Sequence, residues 1–412
     1  MSPAVSTPEA VAGGGPRVLL APDKFKGTLT GREAADAMAA GVRDWAPDAQ
    51  LRQVIVADGG EGTVDAALSA GASAVETTVQ GPLGDQVTAV WAARGSMAVI
   101  ELSAASGLQL LTPSDATAGR AHTFGTGELI RAALDQGMTR IIVGVGGSSS
   151  TDGGTGLLRA LGARFFDSSG TMLELGGADL VRLAGIDLSE LDPRLDAVTL
   201  TVICDVAAPL LGPDGAVAGF STQKGAGRQT QDVLERGLVT LAAQIDRVTG
   251  RDIAALRWGG AAGGTAGGLH GVLGAQFASG IDFVAELTGL AEHLAWADLV
   301  VTGEGSFDRQ SLQGKAPLGV IERAMAADVP AVVVAGRLQM DCEQLRLTGA
   351  SSWASAEEAA PQPQEAVGPD AARWVRAATV RALQTLSAGT PDMPTERAKL
   401  GDRWCSTPSE LS

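Results

Sequence analysis

The segment Gly144-Val145-Gly146-Gly147-Ser148-Ser149-Ser150-Thr151-Asp152-Gly153-Gly154-Thr155-Gly156 indicates how this chain folds. It follows Arg140-Ile141-Ile142-Val143, a short apolar run of the kind that forms a buried strand, and helical spacing resumes at Leu157. A glycine-rich loop between a strand and a helix lets the backbone approach a ligand and directs N–H groups at an anion. An ordinary turn would give the same pattern, so the other strand ends have to be considered with it.

Composition limits the class of protein. The 412 residues carry a net charge of −16, which argues against nucleic-acid binding, and no long apolar run suggests a membrane span. The cysteines Cys204, Cys342 and Cys405 form neither a disulfide framework nor a metal-ligand spacing. The first sixteen residues lack the basic start and apolar core of a signal peptide. We therefore expect a cytoplasmic protein of two domains without nucleic-acid or membrane partners.

Lysine is rare, which makes its positions informative. Of 31 basic residues only five are lysines, and four of these (Lys24, Lys26, Lys224 and Lys315) lie in glycine-rich or strand-end motifs. A compact ammonium group with three donors is suited to neutralise a phosphate or carboxylate. These four lysines are therefore candidate anion-binding residues, although chance clustering remains an alternative.

The order of predicted elements indicates an α/β fold. Strands at 17–22 and 54–57 each precede a helix, and the same alternation resumes near residue 282 with strands at 298–302 and 331–334. Shorter strands and a very glycine-rich run, 259–268, lie in between. The predicted organisation is one parallel-sheet domain formed by both chain ends and a second α/β domain inserted between them. Its boundaries are 1–16 as a disordered tail, 17–72 with 284–386 as the first domain, 73–283 as the inserted domain, and 387–412 as a second disordered tail.

Acidic residues recur just after the predicted strands. Asp23, Asp58, Asp205 and the segment 303–308 all hold this position, as does the Gly144–Gly156 loop. Ligands of open α/β sheets bind outside the carboxyl ends of the strands. A single aspartate could merely cap a helix, but several acids beside glycines and lysines favour one shared cleft. Such carboxylates could hold Mg²⁺ or accept a proton.

Two common nucleotide-binding motifs are not present. Ser149 stands where a dinucleotide-binding loop would need glycine, and Gly314-Lys315 is followed by Ala316 rather than Ser or Thr. The histidines His122, His270 and His293 are not at metal-ligand spacing; His122 precedes a glycine-containing turn, and packing is the alternative to a substrate contact. The residues alone thus predict an α/β protein with an anion-binding cleft.

The motifs taken together resemble the bacterial glycerate kinase family. The resemblance extends over about residues 17–386, with the motifs in the same order throughout. They are Ala21-Pro22-Asp23-Lys24-Phe25-Lys26, Val56-Ala57-Asp58-Gly59-Gly60-Glu61-Gly62-Thr63, Gly125-Thr126-Gly127-Glu128-Leu129, Gly146-Gly147-Ser148 through Asp152-Gly153-Gly154, Cys204-Asp205-Val206, Gln223-Lys224-Gly225-Ala226, Gly303-Glu304-Gly305 and Gly314-Lys315-Ala316-Pro317.

This resemblance implies a function and an architecture. The function is ATP-dependent phosphorylation of D-glycerate to 2-phosphoglycerate with Mg²⁺, and the architecture is a flavodoxin-like domain interrupted by a second α/β domain. One departure is Ser306, which stands where many members carry arginine; Arg309 or Arg337 could replace it. The alternatives are a kinase for another small hydroxy acid or sugar acid, and a catalytically inactive anion-binding homologue. The sequence does not choose between monomer and homodimer.

The candidate site residues follow from these motifs, and we expect them in a cleft between the two domains. Catalytic roles are predicted for Asp58, Asp205, Lys224 and Lys315. Asp58 and Asp205 are also the candidate Mg²⁺ ligands, and the sequence does not decide which of them is the base. The predicted phosphate- or substrate-binding residues are Asp23, Lys24, Lys26, Gly59, Gly60, Glu61, Gly146, Gly147, Ser148, Asp152, Gly153, Gly154, Gly303, Glu304, Gly305 and Asp308.

Overall fold

The computed structural model of the chain describes residues 15–309, 311 and 315–388. The chain forms two units, one that extends through Ala57 and resumes at Val284, and one that runs from Asp58 to Phe283. Most of the two predicted tails, and Gly314, lie outside the described residues. No helix in the described ranges has the length and apolar character needed to cross a membrane.

The strands are β1 Arg17–Pro22, β2 Gln50–Gln53, β3 Ser73–Gln80, β4 Gln86–Arg94, β5 Met97–Glu101, β6 Arg140–Gly144, β7 Arg164–Phe166, β8 Gly185–Asp187, β9 Thr199–Ile203, β10 Gln276–Ala278, β11 Leu299–Gly303, β12 Ser306–Phe307, β13 Ala331–Ala335, β14 Arg337–Leu338 and β15 Ser352–Ser355. The helices are α1 Gly31–Trp45, α2 Thr63–Ser69, α3 Ser103–Ser106, α4 Asp115–Arg120, α5 Phe124–Asp135, α6 Thr155–Ala160, α7 Ala216–Phe220, α8 Arg228–Thr249, α9 Thr265–Leu273, α10 Gly280–Thr288, α11 Leu290–Trp296, α12 Ala316–Ala326, α13 Cys342–Leu347, α14 Ala356–Ala359 and α15 Ala371–Ala388.

The first unit contains a parallel five-stranded sheet in the order β15-β13-β11-β1-β2. Read from β2 to β15 and numbered along the unit, these strands have the order 2-1-3-4-5 of flavodoxin-like folds, which confirms the predicted fold class. Every residue of β11 and β13 is buried, as expected for the central strands of a sheet that is covered on both faces. The strand order reverses between β1 and β11, so their carboxyl ends mark the ligand-binding edge of this sheet.

Helix α1 illustrates how local sequence sets an element boundary. The Thr30 hydroxyl accepts a hydrogen bond from the Glu33 N–H (3.2 Å), and the Glu33 carboxylate accepts one from the Thr30 N–H (2.8 Å). This reciprocal pair is the capping box that the sequence predicts. The buried face of α1, with Met38 and Val42, packs against α15.

The second unit contains a mixed six-stranded sheet in the order β10-β9-β6-β5-β4-β3. Strands β5, β6, β9 and β10 are parallel, and the hairpin of β3 and β4 continues the sheet in antiparallel fashion. Buried Trp91, Leu129 and Ile141 belong to its core. Because the four parallel strands end at one edge, the segments that follow them are brought together there.

Two features differ from the sequence-based expectation. The second strand is found at Gln50–Gln53 rather than 54–57, although the N–H groups of Val54 and Val56 still donate to β1 carbonyls (2.8 and 3.1 Å). The units also divide at Asp58, not near residue 73. Helix α2 packs against β4 and β5, and the Val64 N–H donates to the Glu101 carboxylate (2.8 Å), so Asp58 and the residues after it belong with the second unit.

Gly303→Ala is expected to destabilise the first unit. A Cβ at this position of β11 would overlap the Val334 carbonyl oxygen of the neighbouring strand, and overpacking of this kind costs about 1–3 kcal/mol. Thermal denaturation measures the loss as a lower Tm. Gly219→Ala, a control with open space around the new methyl group, should leave Tm unchanged or slightly raised. Equal Tm values for the two variants would contradict the predicted crowding.

Candidate active site

The first half of the Gly144–Gly156 loop presents backbone donors at the carboxyl end of β6. Gly146 lies against Gly60, where a Cβ on Gly146 would be 2.5 Å from the Gly60 Cα, so only glycine fits. The N–H groups of Gly146, Gly147 and Ser148 have no hydrogen-bond acceptor within the described part of the chain. Three consecutive backbone donors of this kind can bind the oxygens of an anion.

The Asp152 carboxylate stabilises the second half of the loop, residues 150–156, by hydrogen bonds. This fully buried carboxylate accepts hydrogen bonds from the N–H and hydroxyl of Thr123 (2.9 and 2.8 Å). It also accepts from the N–H groups of Gly154 and Gly156, both at 3.1 Å. The Asp152 carboxylate is therefore engaged inside the loop, where it holds the start of α6 in place, rather than turned toward a ligand.

Asp205 lies just beyond β9 and has one oxygen available. Its Oδ1 accepts a hydrogen bond from the Gly280 N–H (3.0 Å), whereas its buried Oδ2 has no hydrogen-bond partner among the residues described. Burial raises the pKa of Asp205 to about 6, and the nearby charges of Asp58 and Asp282 act in the same direction. A carboxylate in such surroundings is suited to accept a proton near neutral pH.

The segment from Asp58 to Glu61 crosses the same edge of the second sheet. The Asp58 carboxylate accepts a hydrogen bond from the Gly60 N–H (3.2 Å), and its backbone lies close enough to Gly280 to exclude a Cβ there. Gly59 adopts φ +87° against the Ile203 carbonyl, a conformation that favours glycine. The second unit therefore brings together Asp58, Asp205 and the glycine loop.

This donor set fits a magnesium ion that is shared with phosphate. Among the described residues, no three His, Cys, Asp or Glu side chains converge to hold a metal ion by themselves. Mg²⁺ in kinases, however, is usually held by one or two carboxylates together with phosphate oxygens. Asp58 and Asp205 interact electrostatically, and Asp205 Oδ2 has no partner in the described part of the chain, so these two carboxylates are the residues that could meet that smaller requirement.

The predicted residues of the first unit meet at the carboxyl ends of β1 and β11. The Asp23 N–H donates to the Gly303 carbonyl (2.9 Å), and a Cβ on Gly305 would lie 2.9 Å from the backbone nitrogen of Lys26. The ammonium group of Lys315, the residue that precedes α12, lies 3.6 Å from the carboxylate of buried Glu304. Acidic and basic candidates thus cluster at the point where the strand order reverses.

The remaining candidates of this unit lie at its surface or in local turns. Lys24 is partly buried and Lys26 is exposed. The Asp308 carboxylate accepts a hydrogen bond from the Ser311 N–H (3.3 Å). The Arg337 guanidinium pairs with Glu357 (2.8 Å), so this arginine already has a partner, whereas Arg309 is exposed.

Two basic candidates of the second unit are buried. Lys224 is 3 % exposed, and its ammonium group donates to the Ser150 carbonyl of the loop. Burial lowers its pKa to about 8. Burial also lowers the pKa of His122, whose Nδ1 accepts a hydrogen bond from the Phe124 N–H (3.3 Å), so this histidine is a packed neutral group.

Sequence reasoning did not identify two residues of this region. Glu101 ends β5 and caps α2; it lies within the predicted strand rather than after it, so the strand-end pattern does not select it. Gly280, which holds Asp205, lies 75 residues further along the chain, and no motif connects the two.

Comparison with known proteins agrees with this picture. Residues 18–387 match the model of the Glycerate kinase family. The chain is 43% identical to a glycerate kinase of Bacillus subtilis (strain 168). The 328 aligned residues are 79% of this chain and 86% of that protein. The chain is 42% identical over 328 residues to a glycerate 2-kinase of Escherichia coli (strain K12), with coverage of 79% and 86%. The crystal structure of a provisionally assigned glycerate kinase 2 from Salmonella typhimurium LT2 matches with a TM-score of 0.77 at 39% identity, over 90% of this chain and 98% of that chain.

Proposed function

The chain belongs to the glycerate kinase family, and on this basis we propose that it transfers the γ-phosphoryl group of ATP to the C2 hydroxyl of D-glycerate. The products are 2-phosphoglycerate and ADP. The observation that carries the proposal is the Asp205 carboxylate, whose buried Oδ2 has no hydrogen-bond partner among the described residues. In the same unit, the N–H groups of Gly146, Gly147 and Ser148 likewise have no acceptor in that part of the chain. A proton acceptor and an anion-binding loop are what phosphoryl transfer to an alcohol requires.

In the proposed reaction, Asp205 Oδ2 accepts the proton of the substrate hydroxyl. The hydroxyl oxygen forms a bond to the γ-phosphorus while the bond from that phosphorus to the β,γ-bridging oxygen breaks, and ADP leaves with the electron pair. The N–H groups of Gly146, Gly147 and Ser148 and the ammonium of Lys315 stabilise phosphate oxygens. This chemistry depends mainly on positioning and charge stabilisation.

Asp58 would hold Mg²⁺ together with phosphate oxygens. The ion, when bound, neutralises charge on the β- and γ-phosphates. We assign the base to Asp205 rather than Asp58, because Asp205 Oδ2 is buried without a hydrogen-bond partner among the described residues, whereas the Asp58 carboxylate accepts a hydrogen bond from the nearby Gly60 N–H.

The single shared site remains a prediction from the strand-end pattern. It can be tested with Asp205→Asn, Lys315→Met and the double variant. Residues that act on one phosphoryl transfer give strongly non-additive losses of kcat, whereas residues of separate sites give losses that multiply. Multiplicative losses would contradict a shared site.

The reaction is tested most directly by ³¹P NMR of the product from D-glycerate and Mg·ATP. We expect the resonance and proton coupling of a phosphate ester at C2. A C3 ester would preserve glycerate kinase activity and overturn the assigned position.

The two rival functions are tested by ADP release with tartronate, lactate and short sugar acids. Faster turnover of one of these acids favours another substrate, and no turnover of any acid favours an inactive homologue. Oligomeric state and cytoplasmic location stay predictions.

A further inference from the structure

We propose that Lys224 is a positioning residue, whose buried ammonium holds the Ser150 carbonyl and thereby keeps the anion-binding half of the glycine loop in place without touching a phosphate itself. The proposal rests on the proposed function for its kinetic consequences. Its structural consequence, the order of the loop, does not depend on which acid is phosphorylated.

The first support is the direction and burial of the side chain. Lys224 and Ser150 are 3 % and 0 % exposed, and the ammonium donates to the Ser150 carbonyl. Lys224 ends a short 3₁₀ turn, and the next residue, Gly225, has φ +95° and lies so close to the Ser114 backbone that a Cβ would overlap it. The chain thus delivers the ammonium to one carbonyl from a fixed turn.

The second support is electrostatic. Burial of the ammonium disfavours its charged form, and the negative charge of Asp152 partly offsets this cost. A buried charge is costly unless it is paired and hydrogen-bonded, so its two partners matter. Both partners, Ser150 and Asp152, belong to the loop itself.

The third support is the packing of the glycine-rich run 259–268 against the loop. The Gly263 carbonyl accepts a hydrogen bond from the Gly153 N–H (3.0 Å). A Cβ on Gly263 would overlap the Ser150 carbonyl, and one on Gly268 would overlap the Gly153 carbonyl. The run therefore packs backbone to backbone against the segment that Lys224 holds.

These contacts divide the loop into two parts. Residues 150–156 are anchored by Lys224, by the Asp152 carboxylate and by Gly263, whereas the N–H groups of Gly146, Gly147 and Ser148 have no acceptor among the residues that the structure describes. Preorganised donors contribute most when they need not reorganise during the reaction. Loss of the Lys224 anchor should therefore loosen the donors even though the lysine does not contact the ligand.

Hydrogen exchange measured by mass spectrometry on the substrate-free protein tests this directly with Lys224→Met. Amides of 144–156 should exchange about tenfold faster, the change expected when one hydrogen bond to a charged group is lost. Amides of the first unit should be unaffected. The kcat/KM for ATP should fall by about tenfold or more. Arg228→Met, which removes a positive charge from an exposed residue at the start of α8, is the matched control and should change neither quantity.

Each other outcome overturns the proposal. Lost activity with unchanged exchange in 144–156 would indicate direct ligand contact, and faster exchange throughout the protein would indicate a general role in folding. If Lys224→Met does not fold, Lys224→Arg, which keeps the charge and the donors, should restore loop protection and activity together; restoration of folding without loop protection would exclude positioning. Failure of the wild type to phosphorylate glycerate would overturn the proposed function but leave the exchange test of Lys224 intact.

Discussion

Asp205→Asn is expected to lower kcat by about 10²–10³-fold while leaving the fold intact, because asparagine keeps the shape of the side chain but cannot accept the substrate proton. The Gly280 N–H that now donates to Asp205 can donate to the amide oxygen instead. Steady-state kinetics with saturating ATP and D-glycerate give kcat, and thermal denaturation verifies the fold. A kcat near that of the wild type would remove Asp205 from the mechanism.

The pH profile gives a second measure of the same residue. Burial raises the pKa of Asp205 to about 6, so the carboxylate is ionised and able to act as a base above that pH. As the pH falls through 6 the carboxylate becomes protonated, and kcat/KM of the wild type should fall with it. The residual activity of Asp205→Asn should lack this acid limb.

Asp282→Asn is the matched control for the pH profile. The Asp282 charge contributes to the raised pKa of Asp205, so its removal should shift the acid limb of kcat/KM to lower pH. The activity near pH 8 should be retained, because the base is unchanged. An acid limb that stays at the same pH in Asp282→Asn would mean that a different group controls it.

The sequence predicts the central strands well, because a strand that is buried on both faces consists of a continuous run of apolar residues. Arg17–Pro22, Leu299–Gly303 and Ala331–Ala335 are examples, and all three are found within about one residue of the expected ranges. Strand β15 was not predicted, since Ser352-Trp353-Ala354-Ser355 is short and half polar, as an edge strand can be. The separation of units at Asp58 was also missed, because it depends on the packing of α2 against strands that come later in the chain.

The roles of the candidate site residues are also only partly predictable from the sequence. Sequence places aspartates at strand ends, but it does not reveal which of them keeps a free buried oxygen. In the described residues, Asp205 Oδ2 is buried without a partner while Oδ1 accepts from Gly280, which is distant in sequence, and the Asp58 carboxylate accepts from nearby Gly60. Likewise, Lys224 in a glycine-containing motif is consistent with a phosphate contact, and only the structure shows its ammonium on the Ser150 carbonyl. Long-range hydrogen bonds decide between roles that a local pattern leaves open.

Lys315→Met is expected to lower kcat/KM for ATP by about 10²–10³-fold, the loss typical of one preorganised charge contact to a phosphate. The ammonium stands at the N-terminus of α12, where the helix dipole adds to its positive charge, and beside Glu304 at the carboxyl end of β11. Arg323→Met is the matched control, because it removes a positive charge from the last turn of the same helix, and it should have little effect.

Glu304→Gln separates a phosphate contact from a purely structural ion pair. The Lys315 ammonium and the Glu304 carboxylate are 3.6 Å apart, and the lysine side chain is 27% exposed, so water partly screens this ion pair. If Lys315 binds phosphate, Lys315→Met should reduce kcat/KM for ATP far more than its effect on Tm would suggest, and Lys315→Arg should recover part of the loss. If the lysine serves only to pair with Glu304, then Lys315→Met, Glu304→Gln and the double variant should all show the same small loss of activity. That result would remove Lys315 from the proposed phosphate contacts.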